Sequence, residues 1–110
     1  MILISLILFL FAALLGIFLL SYLLRNKNTP KGVALIHGFI AAAGLVLLII
    51  SAFSYHPPLT SIFLFFAAAM GGFILMYRDL TGKTLPKWLA LGHGSIALLG
   101  FVVLLIFFMG

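Results

Sequence analysis

The chain contains no cysteine and no glutamate, and its one acidic residue is Asp79. Without cysteine it can form no disulfide, no zinc–thiolate centre and no iron–sulfur cluster. Charged residues make up 6% of the 110 residues, whereas 66% are hydrophobic. A soluble domain is about one quarter charged, so this chain could not cover itself with a polar surface in water. These shortages exclude a soluble enzyme, a disordered chain and a free nucleic-acid-binding protein.

Four apolar stretches have the length that a bilayer crossing requires, which is about 20 residues. They run from Ile2 to Leu24, from Gly32 to Phe53, from Leu59 to Tyr77 and from Trp88 to Met109. No basic residue precedes the first stretch, which we interpret as a retained helix rather than a signal peptide. Because backbone polar groups in lipid must be satisfied internally, we expect helices. The sequence therefore predicts an all-α fold, a polytopic membrane four-helix bundle.

All the basic residues lie in or beside two loops, one after the first stretch and one after the third. They are Arg25, Lys27, Lys31, Arg78, Lys83 and Lys87. The connection between the second and third stretches, residues 54–58, carries no Lys, Arg, Asp or Glu. The positive-inside rule then predicts cytoplasmic basic loops and non-cytoplasmic termini, in a membrane such as the bacterial inner (plasma) membrane. The net charge of +5 reflects this topology, and we expect no nucleic-acid partner.

The second half of the chain repeats the first at a distance of 56 residues without a gap. Pro30-Lys31 aligns with Pro86-Lys87, and His37-Gly38 aligns with His93-Gly94. Apolar segments often match by chance, but these pairs are not apolar filler. We therefore expect one membrane domain over residues 1–110, built from two parallel helical-hairpin repeats, residues 1–54 and 57–110. A two-fold axis along the membrane normal would relate them.

His37 and His93 fall at the same depth under this symmetry, each six residues beyond a lysine, or about 9 Å along a helix. In an up-down-up-down bundle the second and fourth helices are diagonal, so both histidines can project into the core. Small residues share the face of each histidine or lie at similar depth on the other helices. These are Gly16, Ala41, Gly44, Gly72, Ala97 and Gly100.

Histidines on facing helices of a bundle are typical ligands of a haem iron. We predict a haem b with His37 and His93 as its two axial ligands, and with the small residues accommodating the porphyrin. Lys31 and Lys87 would contact the anionic propionates. No catalytic residue is assigned, and the sequence leaves open whether the protein is an enzyme.

The layout resembles the membrane four-helix b-type cytochromes, such as the cytochrome b561-like group. The four spans and His37 and His93 with their glycines carry this resemblance. It implies haem b bound between helices and electron transport in the lipid bilayer, with a quinone or a redox protein as a compatible partner. A homodimer is also compatible. A two-haem member needs a second histidine pair, and only His56 lies near the other face, so we expect at most one bis-His haem per chain.

Two other functions remain open at this stage. The histidines can be interhelical hydrogen-bond partners in a cofactor-free structural or accessory subunit. The size of the chain also resembles that of the small multidrug-resistance-type transporters. Members of that family use a membrane-embedded glutamate in the first helix, and this chain has no glutamate.

Three local expectations concern individual side chains. Thr29 is predicted to cap the second helix, with Pro30 at its first position. Asp79 is predicted to form a solvated pair with its neighbour Arg78. A group of phenylalanines is predicted to face lipid, comprising Phe63, Phe65, Phe66, Phe107 and Phe108.

Overall fold

The computed structural model describes all 110 residues as four α-helices joined by short loops. The helices are α1 (Ile2–Leu24), α2 (Lys31–Tyr55), α3 (Leu59–Leu80) and α4 (Lys87–Met109). Each is long enough and apolar enough to cross a membrane. The four predicted spans and the all-α class are confirmed, and the chain is an integral membrane protein.

The helices form an elongated bundle of 42 × 20 × 19 Å. Helix α1 packs against α2 and α4, and α3 packs against the same two helices, so α2 and α4 are diagonal as predicted. We call the end that carries residues 25–30 and 81–86 the loop end. The opposite end, which carries both termini and residues 56–58, is the terminal end.

The prolines set the starts of α2 and α4. Pro30 and Pro86 stand immediately before these helices with extended ψ angles of 118° and 123°. A proline ring fixes φ near the helical value, and it has no N–H to leave unpaired at a helix start. The prediction that Thr29 caps α2 and that Pro30 is its first residue is wrong. Lys31 is the first residue of α2, Pro30 precedes it, and neither helix has a side-chain cap. The Thr29 hydroxyl donates to Asp79 Oδ2 at 2.6 Å instead.

Large apolar side chains are buried only in the terminal half of the bundle. They are Ile2, Leu6, Phe9, Leu48, Phe65 and Leu104. The rings of Phe9 and Phe65 stack across the α1–α3 diagonal, with centroids 3.8 Å apart and an interplanar angle of 8°. Beyond Ala12 and Ala68 toward the loop end, the only buried apolar side chain is Ala34. The loop half of the bundle therefore buries only small or polar side chains.

The phenylalanine prediction is wrong at one position. Phe65 is 5% exposed, whereas Phe63 and Phe66 are 69% and 55% exposed, as expected for lipid-facing side chains. Phe65 lies four residues after Ser61 and therefore shares its helical face, and Ser61 is fully buried. Phe63 and Phe66 lie elsewhere around the same helix.

Candidate functional site

Each histidine reaches from its own helix to the backbone of the preceding helix. His37 Nδ1 lies 2.7 Å from the carbonyl oxygen of Ala12, and His93 Nδ1 lies 2.6 Å from that of Ala68. A carbonyl oxygen can only accept, so Nδ1 carries the proton and donates in both cases. In the neutral imidazole this leaves a lone pair on each Nε2, and neither Nε2 has a hydrogen-bond partner.

Two glycines make these contacts sterically accessible. A Cβ added at Gly16 would stand 3.0 Å from Cε1 of His37, and one added at Gly72 would stand 3.0 Å from Cε1 of His93. Each glycine follows its accepting alanine by one helical turn, so the missing side chain lets the imidazole lie against the backbone. The predicted residues Gly16 and Gly72 are thus placed beside the histidines, but the imidazoles fill the space that they leave.

The two imidazoles meet across the α2–α4 diagonal. Their ring centroids are 6.1 Å apart and their planes are inclined at 84°. Both residues are half-buried, on the loop side of the Phe9–Phe65 stack. The structure therefore brings together the two side chains that the sequence singles out.

The two imidazoles share some features with a bis-imidazole metal centre. The centroid separation of 6.1 Å is that of an ordinary edge-to-face ring contact, and it is also close to the roughly 6 Å that two bonds of about 2.0–2.1 Å to one shared ion would give. The Nδ1–H bonds to backbone carbonyls are those that metal-bound histidines usually make. No third His, Asp or Glu joins the pair. The donor set, two neutral imidazoles with unpartnered Nε2 atoms, is of the kind that haem iron takes.

The other predicted small residues fall into two groups. A Cβ at Gly44 would stand 3.0 Å from Phe9 Cε1, and one at Gly100 would stand 3.4 Å from the Phe65 ring. These two glycines admit the aromatic stack on the terminal side of the histidines. The alanines stand one turn beyond each histidine and are half-buried, namely Ala41 and Ala97.

The predicted lysines differ in their surroundings. Lys87 is exposed at the start of α4 and forms no salt bridge. Lys31 donates to Oδ1 of Asp79, whose side chain also accepts from Thr29 and is buried. The prediction of a solvated Asp79–Arg78 pair is wrong, because Asp79 is buried and its salt bridge is to Lys31.

Sequence reasoning missed this Asp79 cluster. Arg78 Nε donates instead to the carbonyl oxygen of Thr84 at 2.7 Å. The sequence does contain an indication of this contact. Asp79, the one acid, lies at the end of the third span, and Lys31 lies at the start of the second span. The predicted pairing of Asp79 with its sequence neighbour Arg78 did not take account of this contact across the bundle.

No protein-family model, curated protein or solved structure matches this chain. What the site can do therefore follows from its residues.

Proposed function

We propose that this protein binds one haem b within the membrane, with His37 and His93 as the two axial ligands, and that it transfers electrons. The observation that carries the proposal is the pair of unpartnered Nε2 lone pairs on imidazoles whose centroids lie 6.1 Å apart. Each imidazole is already oriented by its bond to a backbone carbonyl. The absence of a third protein ligand favours a macrocyclic cofactor over a lone metal ion.

The two histidines determine which chemistry the cofactor can supply. A haem bound here contributes reversible one-electron redox chemistry. Because His37 and His93 would both be engaged in holding the group, it would supply electron transfer rather than oxygen binding. The Nδ1–H bonds to Ala12 and Ala68 fix the ring orientation and increase the electron donation of each ligand. A quinone or a redox protein is the class of partner that such a centre requires.

The absence of large buried apolar side chains from the loop half favours this placement. No large apolar side chain is buried beyond Ala12 and Ala68. Lys87 has no ion pair and is available to a porphyrin carboxylate, whereas Lys31 is engaged by Asp79.

The matching contacts also support two parallel hairpin repeats, residues 1–54 and 57–110. The bonds His37–Ala12 and His93–Ala68 recur at the repeat distance, as do the contacts of Gly16 and Gly72. The six Lys/Arg residues at or beside the loop-end connections support a cytoplasmic loop end and non-cytoplasmic termini in a bacterial-type inner membrane.

The test is the visible spectrum of the protein, expressed with ample haem and purified in detergent. We expect a red protein with a low-spin b-type spectrum that sharpens on dithionite reduction, and about one haem per chain, because the chain has one paired site. A colourless, folded protein would contradict the proposal. It would instead support the cofactor-free accessory subunit, in which the carbonyl bonds are the whole function of the histidines.

A further inference from the structure

A polar cavity of about 360 Å³ opens at the loop end, between the two basic loops. Of the twelve residues that line it, the two hydrophobic ones are Leu23 and Leu85. The lining includes four of the six basic residues of the chain, whereas Arg25 and Arg78 lie outside it. The four are Lys27, Lys31, Lys83 and Lys87. We call this space the loop-end cavity.

The charge of the loop-end cavity is not balanced by the protein. Four lysines and one aspartate give a formal charge of +3, and the chain has no other acid. Asp79 is already bonded to Lys31 and to Thr29. Lys83 lies over the ring of Tyr77, with Nζ 5.2 Å from the centroid. Lys27 and Lys87 have no carboxylate partner, so an anion is the ligand that this lining favours.

Two helix starts reinforce this preference. Lys31 and Lys87 are the first residues of α2 and α4, and both residues line the cavity. No side chain caps either start, so the first-turn N–H groups are free to bind an anion. The side chains of Asn26, Asn28 and Thr84 add further hydrogen-bond donors to the wall.

We propose that the loop-end cavity is a binding site for a phosphate-bearing anion. Phosphate accepts several charge-assisted hydrogen bonds at once, which matches a wall of lysines, amides and backbone N–H groups. Exposed aromatic side chains at the same end, Tyr77 and Trp88, mark the level of lipid headgroups. An anionic phospholipid and free inorganic phosphate share this chemistry. The cavity lies at the loop end and its lining does not include the paired histidines. It shares Lys87 with the proposed porphyrin carboxylate contact, but anion binding here does not require the haem.

The test is native mass spectrometry of the full chain in detergent, titrated with dioleoylphosphatidylglycerol. Dioleoylphosphatidylcholine serves as the zwitterionic control, and inorganic phosphate is titrated separately and as a competitor. We expect phosphatidylglycerol to bind in preference to phosphatidylcholine. Lys27→Gln and Lys87→Gln should each weaken binding about fivefold, the effect of losing one basic contact with an anionic lipid.

Arg25→Gln is the control, because it removes one charge from the loop that carries Lys27 but lies outside the cavity wall, and it should weaken binding less than either lysine variant. Phosphatidylglycerol binding that phosphate does not displace identifies the lipid as the source. Lysine-dependent phosphate binding that displaces the lipid identifies the free anion. Equal binding of the two lipids with no phosphate binding would overturn the proposal, as would an equal loss in Arg25→Gln. Circular dichroism of each variant checks that the helices are intact.

Discussion

Gly16 and Gly72 act through the side chains that they lack. Each permits an imidazole to lie against the backbone of the preceding helix, where its Nδ1 finds a carbonyl oxygen. The sequence indicates small residues at the depth of the histidines. It does not indicate whether an imidazole or a cofactor fills the space, because that depends on how α1 and α3 are rotated about their axes.

We expect Gly16→Ala to destabilise the protein. Its Cβ would stand 3.0 Å from Cε1 of His37, so the ring must shift away and its bond to Ala12 must lengthen. Overpacking of this kind costs about 1–3 kcal/mol. The measurement is the free energy of unfolding in mixed detergent and SDS micelles.

Gly92→Ala is the control for this prediction. Gly92 is the neighbour of His93 on α4, and a Cβ there meets nothing within 4 Å. We expect its free energy of unfolding to be unchanged or slightly raised, because alanine is the better helix former. Equal decreases in the free energy of unfolding of the two variants would show that the close approach of Gly16 to His37 does not determine the effect.

At the scale of the helices, Asp79 connects the end of α3 to the start of α2. Its carboxylate accepts from Thr29 and Lys31, and both Thr29 and Asp79 are buried. The Lys31 side chain is 49% exposed, so solvent screens the ion pair and its contribution is less than about 1 kcal/mol. The buried bond from Thr29 is the stronger element of this connection.

Thr29→Val should lower the free energy of unfolding by about 1.5–3 kcal/mol, the usual value of a hydrogen bond to a charged group. The substitution preserves the shape of the side chain and leaves Oδ2 of Asp79 without its donor. Thr60→Val is the matched control, because Thr60 is exposed, and it should change stability by less than about 0.5 kcal/mol. A similar small change in both variants would contradict the assigned role of Thr29.

The spans and the inward face of the histidines on α2 and α4 could be predicted from the sequence, but the inward face of α3 could not. Helix α2 begins one residue before its predicted start, and α3 ends three residues after its predicted end. Lipid is as apolar as the core, so hydrophobic periodicity does not separate Phe65 from Phe63. Small polar residues mark the interior better, since three serines are fully buried, namely Ser5, Ser51 and Ser61.

At the scale of the whole molecule, the bundle has two unequal halves. The terminal half is filled by large side chains around the Phe9–Phe65 stack, and the loop half contains the histidines and the loop-end cavity. The histidine pair could be predicted because its recurrence at the repeat distance is independent of hydropathy. The burial of Asp79 could not, because it depends on the packing of two hairpins whose sequences do not specify their relative rotation.

The chain has one histidine pair, and this pair lies in the loop half of the bundle. His56 is exposed beyond α2 at the terminal end and forms no hydrogen bond through its side chain. The chain therefore offers no second histidine pair there. Under the proposed function it carries electrons to or from a partner on the loop side, and does not carry them across the whole membrane by itself.

The most direct test of the paired-histidine proposal compares the visible spectra of three histidine variants, purified with the same haem supply. His37→Ala and His93→Ala should each lose the low-spin spectrum, because the iron would keep at most one strong protein ligand. His56→Ala should retain the wild-type spectrum, and circular dichroism should show intact helices in all three. A wild-type spectrum in the double variant His37→Ala/His93→Ala would contradict the proposal.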